Sequence, residues 1–217
     1  MIRQTSVKPA PAAPKPPIVV IVDDDPAVRE SLDSLIRSVG LATRLFGAPA
    51  DVLQGTLPDA PGCIVLDVRL PGISGLDFQD QLGRHGIDLP IVFMTGHGDI
   101  PMTVRAMKAG AVDFLAKPFR DQEMLDAVTA AIERDRQRRS ATAALDDQRA
   151  AHATLTPRER EVMTHVVAGL MNKQVAGVLG LSEITVKIHR GNVMRKMGVR
   201  TLADLVRTAE ALGVRKP

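Results

Sequence analysis

The sequence contains one cysteine, no tryptophan, no tyrosine and five phenylalanines in 217 residues. A single cysteine, Cys63, excludes an internal disulfide and is typical of a cytoplasmic protein. The chain also lacks the aromatic side chains that stack best on unpaired nucleobases. Its longest aliphatic run, residues 18–22, is far too short to span a membrane, and the N-terminus has no apolar signal segment. We therefore expect a soluble, cytoplasmic protein with no membrane partner.

Acidic and basic residues are divided unequally along the chain. Residues 18–133 hold 9 Lys or Arg against 17 Asp or Glu, a net charge of −8. Residues 134–217 hold 16 against 8, a net charge of +8. This division predicts two domains with different partners, and the basic one is a candidate for binding nucleic acid.

Two segments have the composition of connecting chain rather than of a core. Residues 1–17 contain five prolines and three basic residues, which predicts a disordered tail. Residues 134–153 are charged, rich in alanine and free of glycine and proline, which predicts a helical linker that continues the preceding helix. A solvated flexible linker is an equal alternative, because the apolar repeat fades after Ile132.

Residues 18–133 alternate between apolar runs and amphipathic segments. This alternation predicts a doubly wound α/β domain with a five-stranded parallel sheet. The expected strands are residues 18–22, 41–46, 63–66, 90–94 and 112–115. The expected helices are residues 26–39, 48–54, 76–82 and 102–107, and one that begins near Asp121.

Polar residues follow four of the predicted strands where each strand ends. They are Asp23 and Asp24, Asp67, Thr95, and Lys117. The carboxyl ends of parallel strands meet at one sheet edge, which is where such folds bind ligands. Asp24, Asp67 and a backbone carbonyl could hold Mg²⁺, and Asp67 could act as a nucleophile toward a phosphoryl group. A solvated turn with a helix-capping aspartate is the alternative for part of the Asp23–Asp25 triplet.

Residues 154–217 predict four helices. Thr156 with Glu159 forms a capping pattern for a helix that reaches Ala168, and Asn172 is expected to cap a short helix that reaches Leu179. Ser182 is expected to cap a third helix that reaches Met197, and Thr201 a fourth. The second and third helices, joined through Gly180, predict a helix-turn-helix.

The third of these helices has one face for the core and one for a partner. Val186, His189 and Val193 should face the core, and His189 is expected to be a packed residue rather than a metal ligand. Gly191 is unexpected, because glycine within a helix costs about 1 kcal/mol relative to alanine and has no side chain to read a base. The candidate DNA contacts are Lys173, Thr185, Lys187, Ile188, Arg190, Arg195, Lys196 and Arg200.

The first domain resembles the receiver domain of two-component response regulators, through IVVIVDDDP, VLDVRLPG, VFMTGHGD and FLAKPF in order. The resemblance implies that Asp67 is the phospho-acceptor for a sensor histidine kinase. It implies Mg²⁺ as the cofactor, bound directly by Asp24, Asp67 and the Arg69 carbonyl and through water by Asp23. Thr95 and Lys117 would bind the phosphoryl oxygens, the Lys117–Pro118 bond would be cis, and Thr95 with Phe114 would form the switch.

The second domain resembles the LuxR-type helix-turn-helix domain of the NarL/FixJ family, and within it the FixJ and StyR-like regulators. LTPREREV and GLMNKQVAGVLGLSEITVKIHRGNVMRKMGV carry this resemblance. It implies a transcription regulator that binds double-stranded DNA, pairs as a homodimer when phosphorylated and contacts RNA polymerase. Such a protein is a phosphoryl acceptor with at most slow self-dephosphorylation rather than an enzyme. The alternatives are a magnesium-dependent phosphohydrolase with an aspartate nucleophile, and a phosphorelay module that binds no promoter.

Overall fold

A computed structural model describes residues 15–96 and 100–214 of the chain. The expected tail of residues 1–17 therefore lies outside the described residues apart from its last three, and so does His97. The chain divides into two compact units, Met1–Arg139 and Ser140–Pro217. Among the described residues, no helix combines the length and the apolar character needed to cross a membrane.

The first unit is a parallel five-stranded sheet with helices on both faces, as predicted. Its strands are β1 (Ile18–Val22), β2 (Ala42–Phe46), β3 (Gly62–Asp67), β6 (Ile91–Thr95) and β7 (Asp113–Ala116), in the spatial order β2-β1-β3-β6-β7. Its helices are α1 (Pro26–Ser38), α2 (Pro49–Gln54), α3 (Gly75–Arg84), α4 (Ile100–Lys108) and α5 (Asp121–Ala153). The continuous apolar runs of β1 and β3 lie in the centre of the sheet, where both faces of a parallel strand are buried.

Alternate residues of the central strands supply two separate cores. Val20 of β1 and Ile64 of β3 face the core covered by α2, α3 and α4. Val19 of β1 and Cys63 of β3 face the opposite core, which α1 and α5 cover. Cys63 has no exposed surface, and burial, with a smaller contribution from the charge of Asp135, raises the pKa of its thiol to about 12.

A short ribbon that the sequence pattern does not predict follows β3. It consists of β4 (Arg69–Leu70) and β5 (Ile73–Ser74), which pair antiparallel across Pro71 and Gly72. Two-residue strands are too short to produce a recognisable alternation of apolar and polar residues. The ribbon connects the end of β3, at Asp67, to the start of α3.

Helix α5 is continuous over 33 residues, Asp121–Ala153, and so extends across the boundary between the two units. Its apolar contacts with the sheet end at Ile132. Asp135 then lies fully buried, and its Oδ2 accepts hydrogen bonds from the backbone N–H of Gly62 at 3.0 Å and from Nε of Arg139 at 2.7 Å. Its Oδ1 accepts from Arg138 Nη2 at 2.8 Å. A buried carboxylate therefore fastens α5 to the first residue of β3 where hydrophobic packing stops.

In the described part of the second unit, four helices follow α5 and surround a separate core: α6 (Pro157–Val167), α7 (Asn172–Leu179), α8 (Glu183–Lys196) and α9 (Leu202–Ala211). Thr156, Ser182 and Thr201 cap α6, α8 and α9 as expected. Gly180 ends α7 with a φ of 65°, a left-handed conformation that favours glycine, and leads through a short turn into α8. This unit therefore contains the predicted helix-turn-helix.

The expected capping of α7 by Asn172 is wrong. Met171 is the capping position, and Asn172 is the first residue inside the helix. The backbone N–H of Met171 is satisfied instead by Oε1 of Gln174, which accepts it at 2.8 Å. The Asn172 side chain is used elsewhere, because its Oδ1 accepts a hydrogen bond from Arg190 Nη1 at 3.1 Å.

Candidate functional site

The polar strand ends of the first unit meet at one edge of the sheet. Asp67 is the last residue of β3, and Asp23 and Lys117 directly follow the strands β1 and β7. The ammonium group of Lys117 lies between the two carboxylates, donating to Asp67 Oδ2 at 2.6 Å and to Asp23 Oδ2 at 2.7 Å. The sequence prediction that these three residues converge is confirmed.

Each of the two carboxylates is held at both oxygens. Oδ1 of Asp67 accepts the backbone N–H of Arg69 at 2.9 Å, and Oδ1 of Asp23 accepts that of Asp25 at 2.9 Å. Asp23 is 1% exposed and Asp67 is 7% exposed, so both carboxylates are held largely out of contact with solvent. The site is therefore preorganised, with one Asp67 oxygen fixed by backbone and the other by a cation.

Asp24 completes a group of three acids. One carboxylate oxygen from each of Asp23, Asp24 and Asp67 can be chosen so that all three lie within 4.8 Å of one another, and Asp24 is exposed. The donor set consists of hard oxygen atoms without histidine or cysteine, which suits Mg²⁺ and does not suit the softer transition metals. The residues present therefore fit the magnesium site that the sequence predicts.

Burial and charge act against each other on the ionisable groups of this site. Burial raises the pKa of Asp23, although the hydrogen bond from Lys117 works in the opposite direction. For Lys117, burial alone would lower the pKa, but its hydrogen bonds to Asp23 and Asp67 outweigh burial and raise the pKa. Lys117 is therefore a cation at neutral pH, and Asp23 is an acid whose ionised form is disfavoured by its surroundings.

Two residues that position the site were not identified from the sequence. Gly75 begins α3, and a Cβ added there would lie 2.4 Å from the carbonyl oxygen of Asp67, so only glycine fits against the end of β3. Arg29 of α1 donates from Nη1 to the carbonyl oxygen of Asp23 at 2.6 Å. The sequence signals of these contacts are weak. They are a glycine at the first position of a helix and an arginine six residues after Asp23.

Thr95 and Phe114, the expected switch pair, lie on the neighbouring strands β6 and β7. Thr95 is fully buried, and its carbonyl oxygen accepts the backbone N–H of Lys117 at 2.7 Å. Phe114 is half-buried and packs on Phe93 with ring centroids 6.2 Å apart. The Lys117–Pro118 peptide bond is cis, as expected.

The second candidate site is the outer face of α8. Val186 and Val193 are buried, as expected, and His189 is half-buried. The side chains of Lys187 and Ile188 project into solvent, and Ile188 is 58% exposed. The other exposed candidates are Lys173, Arg195 and Arg200, and Thr185 is half-buried with its hydroxyl 2.7 Å from that of Ser182.

Two basic side chains of α8 are engaged within the second unit. Arg190 is bonded to Asn172 of α7 and remains half-buried. Lys196 pairs with the buried carboxylate of Glu159 at 2.6 Å and also donates to the carbonyl of Thr154 at 3.1 Å. The ammonium group of Lys196 therefore joins α8 to the start of α6, and its expected phosphate contact stays a prediction.

Comparisons with known proteins identify a family for each of the two units. Residues 19–129 match the response regulator receiver domain, and residues 153–209 match the bacterial regulatory proteins of the luxR family. Nodulation protein W of Bradyrhizobium diazoefficiens is 61% identical over 197 residues, which is 91% of this chain and 87% of that protein. The transcriptional regulatory protein FixJ of Azorhizobium caulinodans is 45% identical over 196 residues, covering 90% of this chain and 93% of FixJ.

Similarity in structure extends over both units. The solved structure of the response regulator StyR has a TM-score of 0.80 and 48% sequence identity, and the match covers 90% of this chain and 99% of StyR. A doubly wound sheet with an acidic site, followed by a helix-turn-helix, defines a response regulator of transcription. The chain belongs to the response regulators that join a receiver domain to a LuxR-type DNA-binding domain. The phosphohydrolase and promoter-independent alternatives are not favoured by these relatives.

Proposed function

We propose that phosphorylation of Asp67 by a sensor histidine kinase controls DNA binding by this regulator. The observation that carries the proposal is the position of Lys117, whose ammonium group contacts both Asp67 and Asp23 at the edge of the sheet. An aspartate that is buried, fixed at both oxygens and paired with a cation is prepared to receive negative charge.

The reaction we propose is a phosphoryl transfer to an Asp67 carboxylate oxygen. A bond forms between this oxygen and phosphorus while the bond between phosphorus and the donor nitrogen breaks, and the donor imidazole keeps that electron pair. Lys117 and Thr95 then bind the phosphoryl oxygens. Mg²⁺ held by Asp24, Asp67 and the Arg69 carbonyl, and through water by Asp23, would offset the charge of the phosphoryl group. We expect no other chemistry than slow self-dephosphorylation.

We propose that the new charge is converted into a change of surface. Phosphorylation replaces the single negative charge of the Asp67 carboxylate with the roughly −1.5 to −2 charges of a phosphoryl group, and it places three acceptor oxygens beside Thr95. A shift of Thr95 toward these oxygens would free space for Phe114 and change the surface formed by α4, β7 and α5. The exposed apolar residues Ile100, Val104 and Met107 of α4 favour the pairing of two receivers through this surface.

We propose that the paired protein presents two copies of α8 to the major groove. Lys187, Ile188 and Arg190 would contact bases, helped by Thr185, while Lys173, Arg195 and Arg200 would contact phosphates. Two recognition helices would meet half-sites about one helical turn apart, or about 34–36 Å. RNA polymerase is the further partner expected for a transcription regulator.

The proposed domains are residues 18–133 and 154–217, and the contacts of Asp135 favour a linker that becomes free only after Arg139.

The test of the proposal is a footprint on genomic DNA with and without acetyl phosphate, made with the wild-type protein and with Asp67→Asn. We expect protection that depends on acetyl phosphate in the wild type and is absent from the variant. Asp67→Asn should also abolish Mg²⁺-dependent labelling by a phosphodonor. Stable labelling of the variant at another residue would contradict the assignment of the acceptor.

A further inference from the structure

Gly191 has no explanation within the described part of the protein. It lies in the middle of α8, where glycine is among the poorest helix-forming residues. Its φ does not lie in the left-handed region that requires glycine, and a Cβ added to it would meet no described atom within 4 Å. Gly62 and Gly75 differ, because a Cβ there would lie 2.3 and 2.4 Å from backbone oxygens. Gly177 of α7 shares these features, and what sets Gly191 apart is its place on the helix that is proposed to meet DNA.

Gly191 belongs to an exposed stripe of α8 at helical spacing. We define this recognition stripe as Ile184, Lys187, Ile188 and Gly191, which are related by steps of three and four residues. Ile184 is 73% exposed and Ile188 is 58% exposed, although both are large apolar side chains. The opposite face of the helix carries the buried valines Val186 and Val193. The recognition stripe therefore combines two exposed apolar side chains with the cation of Lys187, and at Gly191 the backbone of α8 is not covered by a side chain.

A DNA major groove offers the matching chemistry. Its base edges carry acceptor atoms for Lys187, and the C5-methyl of thymine is an apolar group on the same edges that isoleucine can contact. Carbon atoms pack best at about 3.5–4.0 Å, so a base edge in contact with the backbone of Gly191 would leave no room for a Cβ.

We propose that Gly191 is a specificity-determining residue of this regulator. Its missing side chain lets the base edges approach the backbone of α8, and this close approach seats Ile184 and Ile188 against thymine methyl groups. The inference rests on the proposed recognition face of α8. It explains why a residue that weakens the helix occupies the centre of the surface that reads DNA.

The test uses Gly191→Ala in the full-length protein, because stability and DNA affinity should change in opposite directions. The duplex is the one enriched from a random-sequence pool by the wild-type protein. Alanine is the better helix former, so the melting temperature of the second unit should rise by about 4 °C. The Kd for the enriched duplex, measured by anisotropy at one salt concentration, should increase about tenfold, equivalent to about 1.4 kcal/mol.

Gly177→Ala is the matched control. Gly177 lies within α7, is exposed, has no left-handed φ, and would also accept a Cβ without a described atom within 4 Å. This variant should gain stability as Gly191→Ala does, while its Kd stays within about twofold of the wild type. The inference is overturned if Gly191→Ala binds as tightly as the wild type, or if both variants lose affinity equally.

A duplex with uracil in place of thymine identifies the groups that are read, because it lacks only the C5-methyl groups. The wild type should bind it more weakly than the thymine duplex, and Gly191→Ala should distinguish the two much less. Equal binding of both duplexes by the wild type would overturn the inference. Lys187→Ala distinguishes a failure of the Gly191 inference from a failure of the proposed function. If Lys187→Ala weakens DNA binding and Gly191→Ala does not, only the inference about Gly191 fails. If neither variant affects binding, the recognition face itself is wrong.

Discussion

Replacing Asp135 with alanine should destabilise the first unit by about 3 kcal/mol. The buried N–H of Gly62 would lose its acceptor, which costs about 1–3 kcal/mol. The two arginines would be less affected, because Arg138 keeps Asp88 at 3.5 Å and Arg139 keeps Asp59 at 2.6 Å. Their lost ion pairs are partly exposed and add about 1 kcal/mol. The sum lies at the lower end of the range of about 3–5 kcal/mol for breaking a buried ion pair.

Urea unfolding followed by circular dichroism measures this loss, since the chain has no tryptophan or tyrosine for fluorescence. With a slope of about 2 kcal/mol/M, the midpoint of the first unit should fall by about 1.5 M. Asp135→Asn keeps an acceptor for Gly62 and should lose less. Asp88→Ala removes an exposed partner and should change stability by less than about 0.5 kcal/mol. A loss below about 0.5 kcal/mol for Asp135→Ala would refute the role of this carboxylate.

Three further predictions concern the two sites. Asp24→Asn should lower phosphodonor labelling of the protein together with its Mg²⁺ affinity, measured by titration, and a labelling defect with normal Mg²⁺ affinity would exclude a role through the metal. Lys187→Ala should reduce discrimination between the enriched and random duplexes, whereas Lys173→Ala should weaken both and lower the salt slope by about one unit; equal losses on all sequences would refute the assigned face. Since the folded-state pKa of Asp23 is raised above 3.8, its ionised form opposes folding at neutral pH, and Asp23→Asn should raise the urea midpoint at pH 7. That gain should shrink as the pH falls through the folded-state pKa of Asp23, and a lower midpoint at pH 7 would mean that the ion pair with Lys117 outweighs the cost of burial.

The features that follow from hydrophobic patterning could be predicted from the sequence. The unbroken apolar runs of β1 and β3 identify central parallel strands, and parallel topology then brings Asp23, Asp67 and Lys117 to one edge. Turn and cap chemistry similarly located α6 and α8. The capping patterns are local in the sequence. The convergence of the strand ends is long-range, but it follows from the parallel topology alone and needs no measured distance.

Features that depend on pairs of distant side chains could not be predicted. Asp135 is one charge within a run of charged residues, and nothing local distinguishes it from its exposed neighbours. The ion pair of Lys196 with Glu159 joins residues 37 positions apart, so a lysine expected to meet phosphate is used within the protein. Asn172 is the first residue inside α7 and its side chain is bonded to Arg190, 18 positions away, and no local sequence pattern indicates such a pair.

Because Cys63 is buried, its reaction with a thiol reagent can measure the opening of β3 in the unmodified protein. The thiol has no exposed surface and a pKa raised to about 12, so a thiol reagent at pH 8 reacts only with molecules in which β3 has opened. Since there is one cysteine, the labelling rate reports this single event. Asp67 ends the same strand, four residues after Cys63. Phosphorylation of Asp67 by an added phosphodonor should therefore change the rate at which Cys63 is labelled.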